Sequence, residues 1–304
     1  MVETPCLVLP ATEVPEDPGW LAAQPRPVVA VGEGPAPGAD VVVATFEEAR
    51  ALAANIRQNP RAALVLVQVL RAVEALPPAA GLAVESLGYA TLQGGEEFAR
   101  WLAARGAPPA LVRGEGPAVL ARREGDRIRA WLNRPERRNA LSVEMRDALV
   151  ELLEVVCADP EATLELAAVG PCFSVGGELA EFGLFGDTAR AHWVRSVHYP
   201  SRLLLQCGER VVCRLHGACL GSGMELPAFA GRVVAHPKTF FQLPELRLGL
   251  IPGAGGCVSL TRRIGRQRTA WLALSMRRIN ARTALAWGLV DELSEALPEA
   301  PVDR

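Results

Sequence analysis

Residues 217–229 read GACLGSGMELPAF, a glycine-rich stretch that carries a single charge, Glu225. Glycine weakens helices and strands, and burying an unpaired carboxylate costs free energy. A chain that places both together is expected to use the glycines for a turn whose backbone approaches another group closely. The glutamate would then serve as an acid beside that turn.

Two further glycine-rich turns follow strand-like runs, FSVGGEL at 173–179 and LIPGAGG at 250–256. Each of the three turns is expected to lead into a helix, whose first N–H groups lack partners and carry positive potential. Two such ends that face each other can hold one oxygen on which negative charge develops. One turn alone is weak evidence, because glycine is common at strand–helix junctions. Three turns within residues 173–256 indicate a site.

Glu225 and Glu245 are the candidate acid–base residues. Both lie in apolar runs, and desolvation raises the pKa of a carboxyl group towards the range in which it can take and give a proton. Two alternatives stay open at this point. Either glutamate could lie in the first turn of a helix, where the helix dipole stabilises its negative charge. Alternatively, either could form an ion pair with Arg247 or Arg232.

Composition excludes several classes of protein. The chain has 304 residues, 50% of them hydrophobic, which is enough for a sizeable core. A net charge of −2 predicts no nucleic-acid and no membrane-surface partner. The start of the chain lacks a signal-peptide pattern, and no apolar stretch has membrane-spanning length, so a cytoplasmic protein is expected. Seven cysteines without a C-x-x-C pair and four histidines without ligand spacing predict no metal site.

The chain divides into segments that differ in composition and in hydrophobic pattern. Residues 1–38 are rich in proline and glycine and contain strand-like runs, and residues 39–106 are helical, with three helices expected from residue 46 on. Residues 107–116 form a linker, and residues 117–304 form a core in which strands alternate with helices. This core opens with a hairpin around Gly125-Asp126 and a helix capped by Ser142, and it predicts an α/β fold.

Several of these motifs together resemble one family. WLNRPERRNALS (131–142), FSVGGEL, HGACLGSGMEL and FFQLPELRLGLIPGAGG are similar in order and spacing to the enoyl-CoA hydratase/isomerase (crotonase) family. RINARTALAWGLVDEL (278–293) resembles a further segment of it, so the resemblance covers roughly residues 117–293. Three residues depart from the usual pattern, Glu178 for aspartate, Ser222 for glycine and Pro227 just after the acid. These departures bear on the identity of the substrate more than on the class of protein.

The resemblance implies an α/β spiral of repeated ββα units with a helical region for trimerisation and for covering the site. A thioester carbonyl would bind the backbone N–H groups of Gly177 and Ser222, while Glu225 and Glu245 handle water and the proton at Cα. The expected substrate contacts from the glycine turns are Gly176, Gly221 and Gly253.

The implied partner is an acyl-CoA thioester, with no cofactor because CoA belongs to the substrate, and the expected assembly is a homotrimer or homohexamer. Two glutamates favour hydration. The alternatives are isomerisation, thioester or C–C hydrolysis, decarboxylation, or a non-catalytic subunit.

The order of the segments is unusual for this family. Relatives usually continue after the segment that 278–293 resembles with helices that cover the site, and residues 46–106 are similar to those helices. We therefore expect a circularly permuted chain. Residues 26–44 also resemble a degenerate duplicate of residues 211–229, in which Val42 stands in the place of Glu225. Chance similarity of short Val/Gly/Ala-rich strings explains this second likeness equally well.

Overall fold

The structure is a computed structural model that describes residues 4–108, 110, 114–184 and 186–296. Parts of three predicted segments, namely residues 1–3, the linker positions 109 and 111–113, and residues 297–304, lie outside the described residues.

Strands in the described residues follow the apolar runs that the sequence indicates. In chain order they are β1 (Leu7–Pro10), β2 (Val28–Val31), β3 (Val41–Val43), β4 (Val119–Glu124), β5 (Arg127–Leu132), β6 (Thr163–Ala168), β7 (Val211–Leu215), β8 (Ala218–Leu220), β9 (Arg232–Ala235), β10 (Phe240–Gln242), β11 (Ile279–Asn280) and β12 (Glu292–Leu293).

The largest sheet has the strand order β12-β9-β7-β6-β5-β4. Its β4–β5 pair is antiparallel around Gly125, which confirms the predicted hairpin. The other pairs are parallel, so helices must connect them across the sheet faces.

A smaller sheet positions the site. In it β8 runs parallel to β10, with Leu220 opposite Gln242, and β11 adds to β10 in the antiparallel direction. Both parallel strands end at the same edge, and the Gly221 N–H donates to the Gln242 carbonyl at 3.0 Å. The glycine turn after β8 and the residues after β10 are therefore neighbours.

Helices surround these sheets. In chain order they are α1 (Pro18–Ala22), α2 (Phe46–Gln58), α3 (Pro60–Ala75), α4 (Pro78–Gln93), α5 (Glu96–Arg105), α6 (Val143–Ala158), α7 (Thr188–Val197), α8 (Pro200–Cys207), α9 (Ser222–Glu225), α10 (Gly256–Ile264), α11 (Arg266–Ser275) and α12 (Ala281–Trp287).

Most predicted helix boundaries are confirmed, including the cap of α6, where the Ser142 hydroxyl accepts from the Met145 N–H at 3.2 Å. Three expectations were wrong. Residues 39–106 were predicted to be helical, but they begin with strand β3. The third helix predicted before residue 106 is divided into α4 and α5 at Gly94-Gly95. The turn at 173–179 leads only into a single 3₁₀ turn, Leu179–Glu181, and not into a full helix.

The helices that precede the core in sequence pack directly on it. Asn55 of α2 donates to the carbonyls of Leu274 and Ser275, each at 3.1 Å. Buried Asn59 donates to the Leu246 carbonyl at 2.7 Å. Helices α2–α5 and the sheets therefore share one apolar core.

Strands β1, β2 and β3 form a separate parallel sheet with a small core of its own. Its described residues line neither of the two cavities at the candidate site. Among the described residues, no helix is long and apolar enough to cross a membrane, and no cluster of three potential ligands could hold a metal ion.

Glu97 offers a test of how the helical segment is held together. Its buried carboxylate accepts from the N–H groups of Arg61 and Ala62, each at 2.9 Å, and so caps α3 from α5. Glu97→Ala leaves both donors unpaired and should lower the free energy of unfolding by about 1–3 kcal/mol. Urea denaturation measures the loss. Glu96→Ala, which removes only an exposed ion pair with Arg61, is the matched control, and an equal loss in both variants would contradict the capping role.

Candidate active site

Two of the glycine turns touch each other. Ser174 and Cys219 form a parallel bridge, and the Leu220 N–H donates to the Ser174 carbonyl at 3.0 Å. A β-carbon at Gly176, where φ is +94°, would lie 2.9 Å from the Leu220 carbonyl oxygen. A β-carbon at Gly221 would overlap Glu245. A side chain at Gly176 would force the two turns apart, and one at Gly221 would displace the Glu245 carboxyl group, so both close approaches favour glycine.

The residues after these glycines present free amides. The N–H groups of Gly177 and Ser222 have no hydrogen-bond acceptor among the described residues, and Ser222 is the first residue of α9. Gly177 and Ser222 line the same cavity, of about 400 Å³. Two unpaired N–H groups that face one cavity can bind a single developing oxyanion.

Glu225 lies at the end of α9 and is 2% exposed. Its Oε2 accepts from the N–H groups of Ala254 and Gly256, at 2.7 and 2.9 Å. Burial raises the pKa of this carboxyl to about 7, although the backbone hydrogen bonds act in the opposite direction.

Glu245 begins the 3₁₀ turn Glu245–Leu248 that follows β10. Its Oε2 is buried and has no hydrogen-bond partner among the described residues. Burial, followed by the charge of Glu225, raises the pKa of Glu245 well above its usual value. Of the two alternatives left open by the sequence, the ion pair is excluded, because neither glutamate pairs with Arg232 or Arg247 in the described residues, and Arg232 pairs with Glu292. Both glutamates do lie in the first turn of a helical element, as the other alternative expected.

A third buried carboxylate was missed by sequence reasoning. Glu85 of α4 accepts from the N–H groups of Gly255 and Cys257, at 2.6 and 2.8 Å. Burial and then the charge of Glu225 raise the pKa of Glu85 to about 8. The available signal was that Glu85 is the only charged residue in the sixteen of α4.

Two cavities meet at this site. The larger, of about 1310 Å³, is lined by Gly176 and Gly221 and by several arginines. The smaller, of about 400 Å³, is lined by Gly253 and Glu225. The residues common to both are Gly177, Glu178, Phe182 and Glu245.

All the sequence-predicted site residues therefore come together, and the helices before the core complete the walls. Tyr89 and Gln93 of α4 line the smaller cavity, and Trp101 of α5 lines the larger one. Gly253 packs so closely on Tyr89 that a β-carbon there would overlap the ring. His216, just before the glycine turn, lies outside both linings and contacts the Gly170 carbonyl at 2.8 Å.

Comparison with known proteins identifies similar sequences. A sequence model of the enoyl-CoA hydratase/isomerase family matches residues 128–303. The 2,3-dehydroadipyl-CoA hydratase of Escherichia coli is 32% identical over 169 residues, which are 53% of this chain and 63% of that protein. The enoyl-CoA isomerase/hydratase fer4 of Mycosarcoma maydis is 31% identical over 173 residues, 54% of this chain and 63% of that protein. The chain thus spans about six tenths of the length of these curated relatives.

Solved structures are similar over the same region. The enoyl-CoA hydratase of Thermoplasma volcanium matches with a TM-score of 0.53 and 30% identity, over 60% of this chain and 73% of that one. The enoyl-CoA hydratase of Mycobacterium smegmatis matches with a TM-score of 0.53 and 26% identity, over 59% and 70%. The predicted crotonase-like α/β fold is confirmed by these similarities.

The raised pKa of Glu85 predicts a pH dependence of stability. In the folded chain this pKa rises from a usual value of 4.5 to about 8, so the folded state binds more protons between these values. The free energy of unfolding should therefore fall as pH rises through this window, by up to about 1.4 kcal/mol per pH unit for one group. Glu85→Gln should make the decline shallower.

Urea denaturation at a series of pH values measures the slope. Glu154→Gln, on the exposed side of α6, provides a control of the same chemistry that should leave the slope unchanged. If Glu85→Gln and the unsubstituted chain have the same slope, Glu85 does not hold an extra proton in the folded state.

Proposed function

The chain belongs to the enoyl-CoA hydratase/isomerase family, and on that basis we propose that it hydrates an α,β-unsaturated acyl-CoA thioester. One observation carries the proposal. Glu225, which is buried, and Glu245, whose Oε2 atom is buried, line one cavity with Gly177 and Ser222, whose amides are unpaired, and neither glutamate is paired with a cation in the described residues. Acid–base groups and an oxyanion site are the two requirements of this reaction.

The two amides would stabilise the enolate. When the oxygen of water bonds to Cβ, the electrons of the double bond move towards the thioester and place negative charge on its carbonyl oxygen. The N–H groups of Gly177 and Ser222 would donate to that oxygen. Because they are fixed by the backbone of touching glycine turns, they need no reorganisation during the reaction.

The environments of the two glutamates suit different protonation states. Two backbone N–H groups favour the ionised form of Glu225, which would remove a proton from water. Burial without a partner for Oε2 favours the neutral form of Glu245, which would give its proton to Cα. The product is a 3-hydroxyacyl-CoA, and the net transfer leaves a proton on Glu225 that must pass back to Glu245.

The larger cavity fits the CoA part of the substrate. Arg138 and Arg247 line it and are exposed, and Arg137 lines it while pairing with Glu178 at 2.7 Å. Guanidinium groups bind phosphate oxygens well. The acyl chain would then extend past Glu245, which both cavities share, into the smaller cavity.

The permuted chain order is part of the proposal. What supports it is that Glu85, Tyr89 and Trp101, from helices that precede the matched region, lie at the loop 253–257 and in the cavity walls. Superposition on a solved member with chain connectivity ignored tests it, since α2–α5 should then coincide with that protein's closing helices. A homotrimer or homohexamer and a cytoplasmic location also remain proposals.

Substitution of the glutamates tests the chemistry. Glu225→Gln and Glu245→Gln should each lower kcat for hydration of a short enoyl-CoA by about 10²–10⁴, because each removes one proton-transfer group. Loss of the enoyl absorbance measures hydration, and chromatography of the product distinguishes a 3-hydroxyacyl-CoA from a shifted double bond. Glu209→Gln, an exposed glutamate outside both cavities, is the matched control.

Three outcomes would overturn the proposal. Unchanged hydration in both variants would remove the glutamates from their roles, and a shifted double bond as the only product would replace hydration by isomerisation. If no CoA thioester raises the melting temperature, the site does not bind this class of ligand, and a non-catalytic subunit is favoured.

A further inference from the structure

The smaller cavity has an arginine in its wall. Arg195 of α7 is half-buried, and its guanidinium carbon lies 4.5 Å from the centre of the Tyr89 ring. Its Nε donates to the Ser86 hydroxyl at 3.1 Å and its Nη2 donates to the Gln93 side-chain oxygen at 3.0 Å. The ring and the two hydrogen bonds, all from α4, hold the guanidinium in one orientation.

This arginine has no counter-ion in the part of the chain that the structure describes. No carboxylate there lies within ion-pair distance of Arg195, both of its hydrogen-bond partners are neutral, and its Nη1 has no acceptor. Holding a guanidinium partly out of water without a carboxylate in contact is unfavourable, and burial lowers the pKa of Arg195, although the nearby Tyr89, Tyr199 and Glu85 act in the opposite direction. An arginine kept under these conditions is suited to an anion that arrives with a ligand.

Apart from Glu245, whose Oε2 lacks a hydrogen-bond partner in the described residues, the other acids and cations that line this cavity have partners within the protein. Glu178 pairs with Arg137 at 2.7 Å, and Arg146 pairs with Asp147 at 2.7 Å. Glu181 accepts from the Val143 N–H at 2.8 Å. Glu225 is held by backbone amides. Arg195 is therefore the charge in this lining that an incoming carboxylate would neutralise.

The position of Arg195 relative to the acid–base residues sets what can reach it. The guanidinium of Arg195 lies over the ring of Tyr89, and that ring packs against Gly253. Residues that follow Gly253 in the loop 253–257 donate hydrogen bonds to Glu225. One tyrosine ring thus separates the arginine from the loop that holds the catalytic carboxylate. A group bound by Arg195 would belong to the same short acyl chain whose double bond lies beside Glu225.

We propose that Arg195 binds a carboxylate at the end of the acyl chain, so that the substrate is a short α,β-unsaturated acyl-CoA with a second, free carboxylate. The assignment rests on the proposed function, since it places the acyl chain in the smaller cavity. Nη1 and Nη2 of a guanidinium can bind the two oxygens of a carboxylate together, which a methyl-ended chain cannot exploit.

Matched substrates and matched variants test this assignment. Enoyl-CoA esters that end in a carboxylate or in a methyl group, at the same chain length, are compared by kcat/KM, and their saturated analogues are compared by calorimetric Kd. The unsubstituted chain should favour the carboxylate. Arg195→Met should lower kcat/KM for the carboxylate ester by about ten- to a hundred-fold, the range for a hydrogen bond to a charged group.

The same substitution should change kcat/KM for the methyl-ended ester less than threefold, a difference that a purely structural role of Arg195 would not produce. Arg195→Lys should recover part of the preference because it keeps the charge. Arg202→Met, an exposed arginine outside both cavities, is the control for loss of one positive charge.

Failures of the two proposals are distinguishable. Equal kcat/KM and Kd for the two ester types in the unsubstituted chain, or equal losses for both in Arg195→Met, would overturn the carboxylate assignment while hydration stands. If neither ester is hydrated but the saturated carboxylate analogue binds more tightly and Arg195→Met removes that advantage, the proposed reaction fails and the assignment of Arg195 stands.

Discussion

Four consecutive backbone N–H groups at the start of α10 are held by two buried carboxylates, and the site depends on this arrangement. Glu225 accepts from Ala254 and Gly256, while Glu85 accepts from Gly255 and Cys257. The donors alternate between the two acids along the loop. A carboxylate is costly to bury unless such donors satisfy it, and a helix N-terminus is unfavourable to bury without acceptors. The buried carboxylates and the N–H groups at the start of α10 therefore stabilise each other. Their hydrogen bonds fix α4 and α9 against the same loop.

The same arrangement sets the electrostatics. Glu85, Glu225 and Glu245 share one poorly solvated region, where like charges repel strongly and the neutral forms gain relative to the ionised forms. Backbone donors oppose this effect at Glu225 and Glu85, whereas the buried Oε2 of Glu245 has no such partner among the described residues. Two glutamates that differ in hydrogen bonding thus come to differ in proton affinity, as general acid and base chemistry requires.

The two cavities present different chemical groups. The larger one presents exposed arginines, which suit phosphate groups. The smaller one is lined by two tyrosines, by acids of which only Glu245 has a buried oxygen without a partner in the described residues, and by Arg195, which has no counter-ion there. Helix α4 supplies Tyr89 and Gln93 to the smaller cavity and Ser86 to the arginine behind it. A helical segment that precedes the core in sequence therefore shapes the smaller cavity.

The sequence by itself determined those features of the structure that depend on short-range interactions along the chain. The glycines at Gly176 and Gly221 predict turns with positive φ, and apolar neighbours predict that the Glu225 side chain and the Oε2 of Glu245 are shielded from water. The hairpin, the Ser142 cap and the helices from residue 256 on follow from short-range patterns. Only the tertiary structure decided that Glu85 shares a loop with Glu225, that Tyr89 and Arg195 form a wall of the smaller cavity, and that the turn at 173–179 ends in one 3₁₀ turn. Glu85 and Gly255 are 170 positions apart, and no residue spacing within one segment reports a contact of that kind. Such contacts arise when helices pack and exclude water, and packing brings together side chains whose separation along the chain is arbitrary.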